Sequence, residues 1–278
     1  MRFQPTMAQL ERLAQSDVSH VPVWGEILCD RDTPVTAFTK LHRGAYGCLL
    51  ESNEGGEQWG RYSFVVTDPA AVIEARGRNL SIRHRDGRAE ERRDVDPLLS
   101  LRDLLVPYRV ATVPGLPRFT GGLVGYVSYD AVRWIERLES SPPDELGLPD
   151  LLLLLVDTLL VFDNQAQKIL LLTHADLRGA TSIGAAFVAA RERIEELAAR
   201  LDGPPQPLRV RATEPRAIPV DSTLSPEQFQ AAVVRAKEYI AAGDIIQVVL
   251  AQRFSRPCAV PPFDIYRCLR SINPSPYL

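Results

Sequence analysis

Residues 151–162 read LLLLLVDTLLVF, and residues 168–173 read KILLLT. Between them stands Asp163-Asn164, a turn signal. Runs this apolar leave no polar face for water, so they predict a strand buried on both faces. Together they predict one long hairpin folded about Asp163-Asn164, with antiparallel pairing. Other segments repeat the pattern. Val21–Leu28 and Ala45–Glu51 are apolar runs bounded by turn residues, and Thr67-Asp68-Pro69 separates Arg61–Val66 from Ala71–Ala75. Asn79–His84 and Ala89–Arg93 flank Asp86-Gly87, a second hairpin signal. Phe119–Tyr129 reads as a glycine-bearing strand, and Tyr129–Leu138 as helical. Strand and helix do not alternate regularly. Hairpins therefore dominate the reading, which agrees with antiparallel sheets.

Helices are expected at Gln4–Gln15, at Pro97–Val106 with Leu98, Leu101, Leu104 and Leu105 on one face, and at Thr181–Leu201. The last is stopped by Asp202-Gly203-Pro204-Pro205. Between Gly203 and Thr223 lie Pro204, Pro205, Pro207, Pro215 and Pro219, which read as a connector. The expected domains are thus 1–215, with a linker at about 203–223, and a second from 222 to 278. The second opens on Ser225-Pro226-Glu227-Gln228, an N-cap serine with proline at N1 and Gln at N3. That helix should end at Gly243-Asp244. A strand over Ile245–Phe254 and a short helix over Phe263–Ser271 should follow.

Composition narrows the function classes. The 278 residues are 45% hydrophobic and 24% charged, with a net charge of −3, so no basic field draws the chain to nucleic acid. Only Lys40, Lys168 and Lys237 are available for lysine chemistry. The longest apolar run, Leu151–Phe162, is too short to span a bilayer and is interrupted by Asp157. The first residues, MRFQPTMAQLERLAQ, hold no apolar signal core. Cys29, Cys48, Cys258 and Cys268 form no CxxC pair, so a reducing cytoplasm is the expected compartment. With four His, they give no zinc spacing. The stop at Asn273-Pro-Ser-Pro-Tyr-Leu278, on two apolar residues after a turn, leads us to expect a chain cut while entering its next strand.

Most local features have plain readings. Thr120-Gly121-Gly122-Leu-Val-Gly125 lacks the GxG spacing of a dinucleotide loop, and its glycines fit close packing within a strand. Arg76, Arg78, Arg83, Arg85, Arg88, Arg92 and Arg93 are interleaved with Asp86, Glu90, Glu91 and Asp94 and have no aromatic among them, as on a solvated hairpin. His20, His42, His84 and His174 have no obvious partner in sequence and read as surface or turn residues. Ser128 and Asp130 lack a nearby His.

Three segments stand out: Leu49-Leu-Glu-Ser52, then GDIIQVVLAQRF at 243–254, then NPSPYL at 273–278. Taken with RYSFVVTDP at 61–69 and FTGGLVGYVSYDAVRWIE at 119–136, and in this order, they resemble the anthranilate synthase component I family of chorismate-using enzymes. The resemblance spans the whole chain. It implies an α+β fold, an α/β sandwich of antiparallel sheets flanked by helices, with a regulatory first domain and a chorismate-binding second domain beginning near Ser222, here incomplete; the hairpin-dominated strand reading agrees. It implies that ammonia is added to chorismate, pyruvate is lost and the ring aromatises to anthranilate, the first step of tryptophan biosynthesis. It implies Mg²⁺, and a partner glutamine amidotransferase subunit (component II) that supplies the ammonia. The family's catalytic and metal-binding residues belong to motifs beyond Leu278. No catalytic or metal residue is therefore assigned here, and residues 1–278 alone are expected to be inactive.

The resemblance also implies a feedback-inhibitor site, with tryptophan between the LLES and NPSPY segments. Ser52, Pro276, Tyr277 and Leu278 would contact it, with Leu50 and Glu51 beside them. Leu50, Tyr277 and Leu278 can supply an apolar slot for an indole. Ser52 offers a hydroxyl, and Glu51 a possible partner for the ammonium. The family usually carries Met where Leu278 stands. Gln247 is expected to line the active site. Isochorismate and salicylate synthases commonly place a lysine there that would activate water, which an amide cannot do. Aminodeoxychorismate synthase, which makes the para isomer for 4-aminobenzoate and folate, is the alternative enzyme. A non-catalytic tryptophan-binding or interaction fragment is the alternative outside catalysis.

Overall fold

The computed structural model describes residues 1–51, 60–139, 143–205 and 219–278. Its contacts divide the chain into two units, Met1–Pro207 with Arg270–Leu278, and Leu208–Leu269. The expected connector at about 203–223 lies largely outside the described residues. The fold is the expected mixture of helices and antiparallel sheets.

In chain order the first unit contains β1 (Phe3–Gln4), α1 (Met7–Leu13), β2 (His20–Leu28), α2 (Pro34–Leu41), β3 (Cys48–Leu50), β4 (Tyr62–Val66), β5 (Ala71–Arg76), β6 (Asn79–His84) and β7 (Ala89–Arg92). It continues with α3 (Pro97–Leu105), β8 (Gly122–Val127), a 3-10 turn (Tyr129–Trp134), β9 (Leu151–Val156), β10 (Thr158–Asp163), β11 (Lys168–Asp176) and α4 (Ile183–Leu201). Two sheets result, one ordered β1-β2-β11-β10-β4-β3 and the other β7-β6-β5-β9-β8. Every ladder in them is antiparallel.

The stretch 151–162 is corrected by this topology. It is two strands, not one. β10 pairs with β11 across the expected Asp163-Asn164 turn, Asp163 facing Lys168. β9 instead pairs with β5 and β8 in the other sheet. Asp157 marks the crossing. Its carboxylate accepts from Arg193 at 3.2 Å and also pairs with Arg85, and its carbonyl accepts from Thr173 Oγ1 at 3.1 Å. A charged residue held by two guanidiniums cannot enter the apolar interior, so the run breaks there.

The apolar patterning is used on both faces. Leu151, Leu153 and Leu155 pack with Ile73, Leu80 and Ile82, while Leu154 and Val156 pack with Phe64, Val161 and Leu172. The second cluster draws residues from both sheets and forms the core between them. α4 covers β11 and β2, burying Ala186, Ala190, Ile194, Leu197 and Leu201 at helical spacing. Gly125 answers for the glycine-bearing strand. A Cβ there would lie 2.0 Å from the Leu152 carbonyl oxygen, so close backbone approach is its role. α2 lies where the sequence suggested no element, and Thr33 caps it reciprocally with Thr36, with Pro34 in the first turn.

In the second unit α5 (Pro226–Ala242) starts and stops as its sequence directs. Ser225 and Gln228 form a capping box, and Gly243 closes the helix in the left-handed conformation at φ 82°. The strand expected over Ile245–Phe254 is not formed. Only β13 (Phe254–Ser255) is extended in a ladder, pairing with β12 (Asp221–Ser222). An apolar strand is stabilised by neighbours on its edges and faces, and among the described residues this one has a two-residue partner. Ile246 is 97% exposed. The expected short helix is present as α6 (Pro262–Ile272).

Candidate functional site

The edge of the six-stranded sheet brings distant parts of the chain together. β3 pairs with β4, Cys48 facing Val66 and Leu50 facing Phe64. Immediately after β3, Glu51 meets the end of the chain. The Glu51 N–H donates to the Leu278 carbonyl at 3.1 Å, and the Leu278 N–H donates to the Glu51 carbonyl at 2.9 Å. The LLES and NPSPYL segments, far apart in sequence, are therefore hydrogen-bonded neighbours. Tyr277 adopts φ 56°, and its ring centroid lies 6.4 Å from that of Phe64. Leu50 and Leu278 are half-buried, and Pro276 is exposed. Ser52 lies outside the described residues.

Glu51 is 2% exposed, and a carboxylate stripped of water requires a charged or hydrogen-bonding partner. Nη2 of Arg270 donates to its Oε1 at 2.7 Å. The carboxylate expected as a partner for a ligand's ammonium thus already holds a cation from the protein. What this edge presents is apolar surface from Leu50 and Tyr277 over the buried Phe64, beside the main chains of Glu51 and Leu278, which pair with each other. Such groups hold a small, partly apolar ligand rather than attack one. Gln247 belongs to the second unit and is exposed.

A second cluster was not foreseen. His20 and His174, read from sequence as surface or turn residues, are both buried. The reason is register. β2 and β11 pair with His174 facing Pro22 and Asp176 facing His20, which places both imidazoles on one face. His20 stacks on Tyr108 at 4.8 Å, meets His174 edge-on at 6.3 Å and lies 3.7 Å from Asp176. Arg178 bonds Asp176 through two nitrogens and lies over the Tyr108 ring. With Arg85, Arg88 and Arg193 these side chains line a cavity of about 400 Å³. Burial pulls the His20 imidazole down to about 4 and also lowers that of His174. Burial tends to raise the Asp176 carboxyl, but the bonds from Arg178 prevail and hold it at about 2. Nδ1 of His174 donates to the Asp157 carbonyl at 3.2 Å. The cluster joins cations to matched carboxylates at the point where the chain changes sheets. The signal for it was the pairing of β2 with β11, which local pattern does not give.

The arginine-rich hairpin is an ion-pair surface, in part through its interleaved acids and in part through Glu74 and Asp157. Arg78, Arg83, Arg85, Arg88 and Arg92 each pair with a carboxylate. His84 pairs with Glu90, His42 stacks on Phe38, and Asp130 pairs with Arg133 within the 3-10 turn.

Comparison with known proteins adds the following. A family model described as chorismate binding enzyme matches residues 46–278. The chain is 42% identical over 273 residues to anthranilate synthase component 1 of Pseudomonas aeruginosa, covering 96% of this chain and 54% of the relative. It is 36% identical over 281 residues to the protein of the same name from Acetivibrio thermocellus, covering 99% of this chain and 56% of the relative. The crystal structure of anthranilate synthase component I from Streptococcus pneumoniae TIGR4 superposes with a TM-score of 0.63 at 28% identity, over 91% of this chain and 53% of that one. The chain thus spans about half the length of the relatives it matches.

Proposed function

The chain belongs to the chorismate-binding enzyme family, and from that premise we propose that it serves as component I of anthranilate synthase. The reaction is amination of chorismate by ammonia, loss of pyruvate and aromatisation to anthranilate, the entry to tryptophan biosynthesis. The observation that carries this reading is the run of 42% identity across 96% of the chain to a protein of that name. Glutamine, through a partner amidotransferase subunit, is the proposed source of ammonia, and the cytoplasm the proposed compartment. Among the described residues no helix is long and apolar enough to cross a membrane. Gln247 fits ammonia as nucleophile, because an amide cannot deprotonate water.

Mg²⁺ belongs to the proposed reaction. Among the described residues, however, no group of three or more His, Cys, Asp or Glu could hold a metal ion. No described residue is assigned to Mg²⁺, and no step here runs through one. Residues 1–278 by themselves are expected not to turn over chorismate. Gln247, the one active-site candidate, is exposed and set in no strand, and catalysis depends on groups held in place.

The edge formed by β3 and the 273–278 segment is the proposed tryptophan site, with Leu50, Glu51, Ser52, Pro276, Tyr277 and Leu278 around the ligand. The pairing of Glu51 with Leu278, which brings the two segments together, supports it, as does the apolar surface of Leu50 and Tyr277. With Glu51 held by Arg270, carbonyls and the Ser52 hydroxyl are the remaining acceptors for the ammonium. The functional reading is tested by genetic complementation. The whole reading frame containing this chain should restore growth without tryptophan to a bacterium lacking its own component I, and residues 1–278 alone should not. Growth restored by 4-aminobenzoate production, in a strain lacking that activity instead, contradicts it.

A further inference from the structure

Glu51 touches both ends of one short segment. Its side chain accepts from Arg270 at 2.7 Å, and its main chain exchanges two hydrogen bonds with Leu278. The residues between, 271–277, are therefore pinned at both ends to a single position beside β3. The anchor is strong for a physical reason. Glu51 is 2% exposed, so its attraction to the guanidinium is little screened by water. Tyr277 stands in the left-handed region at φ 56°, a conformation for a non-glycine residue that persists only where the surroundings impose it. Its ring lies 6.4 Å from that of Phe64.

We infer that Arg270 is a positioning residue: its grip on Glu51 holds the end of β3 and the 273–278 turn together as one ligand surface. Its link to tryptophan rests on the inhibitor-site reading above. Arg270 is offered as a residue that need not touch the ligand. It acts through Glu51, which it keeps buried and turned away from solvent. Nη2 of Arg270 makes the printed bond to Glu51, while its Nε is buried without an acceptor. A lysine, which offers a point charge instead of a fork, can therefore replace part of it.

The test measures amide hydrogen exchange in the full chain together with L-tryptophan affinity by calorimetry. Arg270→Gln is expected to speed exchange at the Glu51 and Leu278 amides by about tenfold or more, with the β10 and β11 amides unchanged. Tryptophan affinity is expected to fall about tenfold, and Arg270→Lys to recover much of both effects. The inference is overturned if Arg270→Gln keeps the two amides protected. It is also overturned if they open only together with β10 and β11, or if tryptophan binds the variant as it binds the wild type. A wild-type chain without tryptophan affinity, whose two amides still open in Arg270→Gln, rejects the inhibitor-site reading and leaves the clasp standing.

Discussion

His20 and His174 are neutral in the fold because burial disfavours their charged forms. In the unfolded chain each takes up a proton near pH 6.5. As pH falls from 6.5 toward the folded value of about 4 for His20, the unfolded state binds more protons, and stability falls. Asp176, held at about 2, contributes stability above its unfolded value of 3.8 that is lost as pH falls toward 2. Urea midpoints should therefore be lower at pH 5 than at pH 7, and His20→Gln should reduce that difference. Equal midpoints at the two pH values in the wild type would contradict the buried, neutral assignment. At Gly125 the expectation is steric. Gly125→Ala sets a Cβ against the Leu152 carbonyl and should destabilise by about 1–3 kcal/mol, read as a drop in urea midpoint. At the ligand edge, Ser52→Ala should weaken tryptophan inhibition, and an unchanged inhibition constant would remove Ser52 from the site.

Elements whose instructions are local were legible in sequence. The Ser225-Pro226-Glu227-Gln228 start and Gly243 stop of α5, the end of α4 before Asp202-Gly203 and the turn at Asp163-Asn164 all act within a few residues. The division of 151–162 was not legible, because an apolar run says that a strand is buried but not which sheet receives it. Asp157 held the clue, and its meaning came from Arg85 and Arg193, distant in sequence. Asp157→Ala should cost about 1.5–3 kcal/mol through lost charge-assisted bonds, measured by denaturant unfolding. A change within error would show that the crossing between β9 and β10 does not depend on that carboxylate. The run at Ile245–Phe254 failed for a complementary reason. Its residues favour a strand, but pairing partners decide whether one forms.

At the scale of the whole molecule, antiparallel pairing followed from hairpin signals that recur along the chain, and the α+β class from the family resemblance. The candidate site was legible only as two separate segments. That LLES and NPSPYL are neighbours came from their resemblance to a family, and their hydrogen bonding from the fold. Arg270 was invisible beforehand, since nothing local links it to Glu51, 219 residues away. The histidine cluster was hidden likewise, because strand register created it. The central claim is chemical, and product identity tests it most directly. The protein encoded by the whole reading frame containing this chain should be given chorismate, ammonium and Mg²⁺, and its products separated and identified. The expected result is 2-aminobenzoate and pyruvate in equal amounts. A 4-amino isomer, or isochorismate or salicylate, would contradict the account.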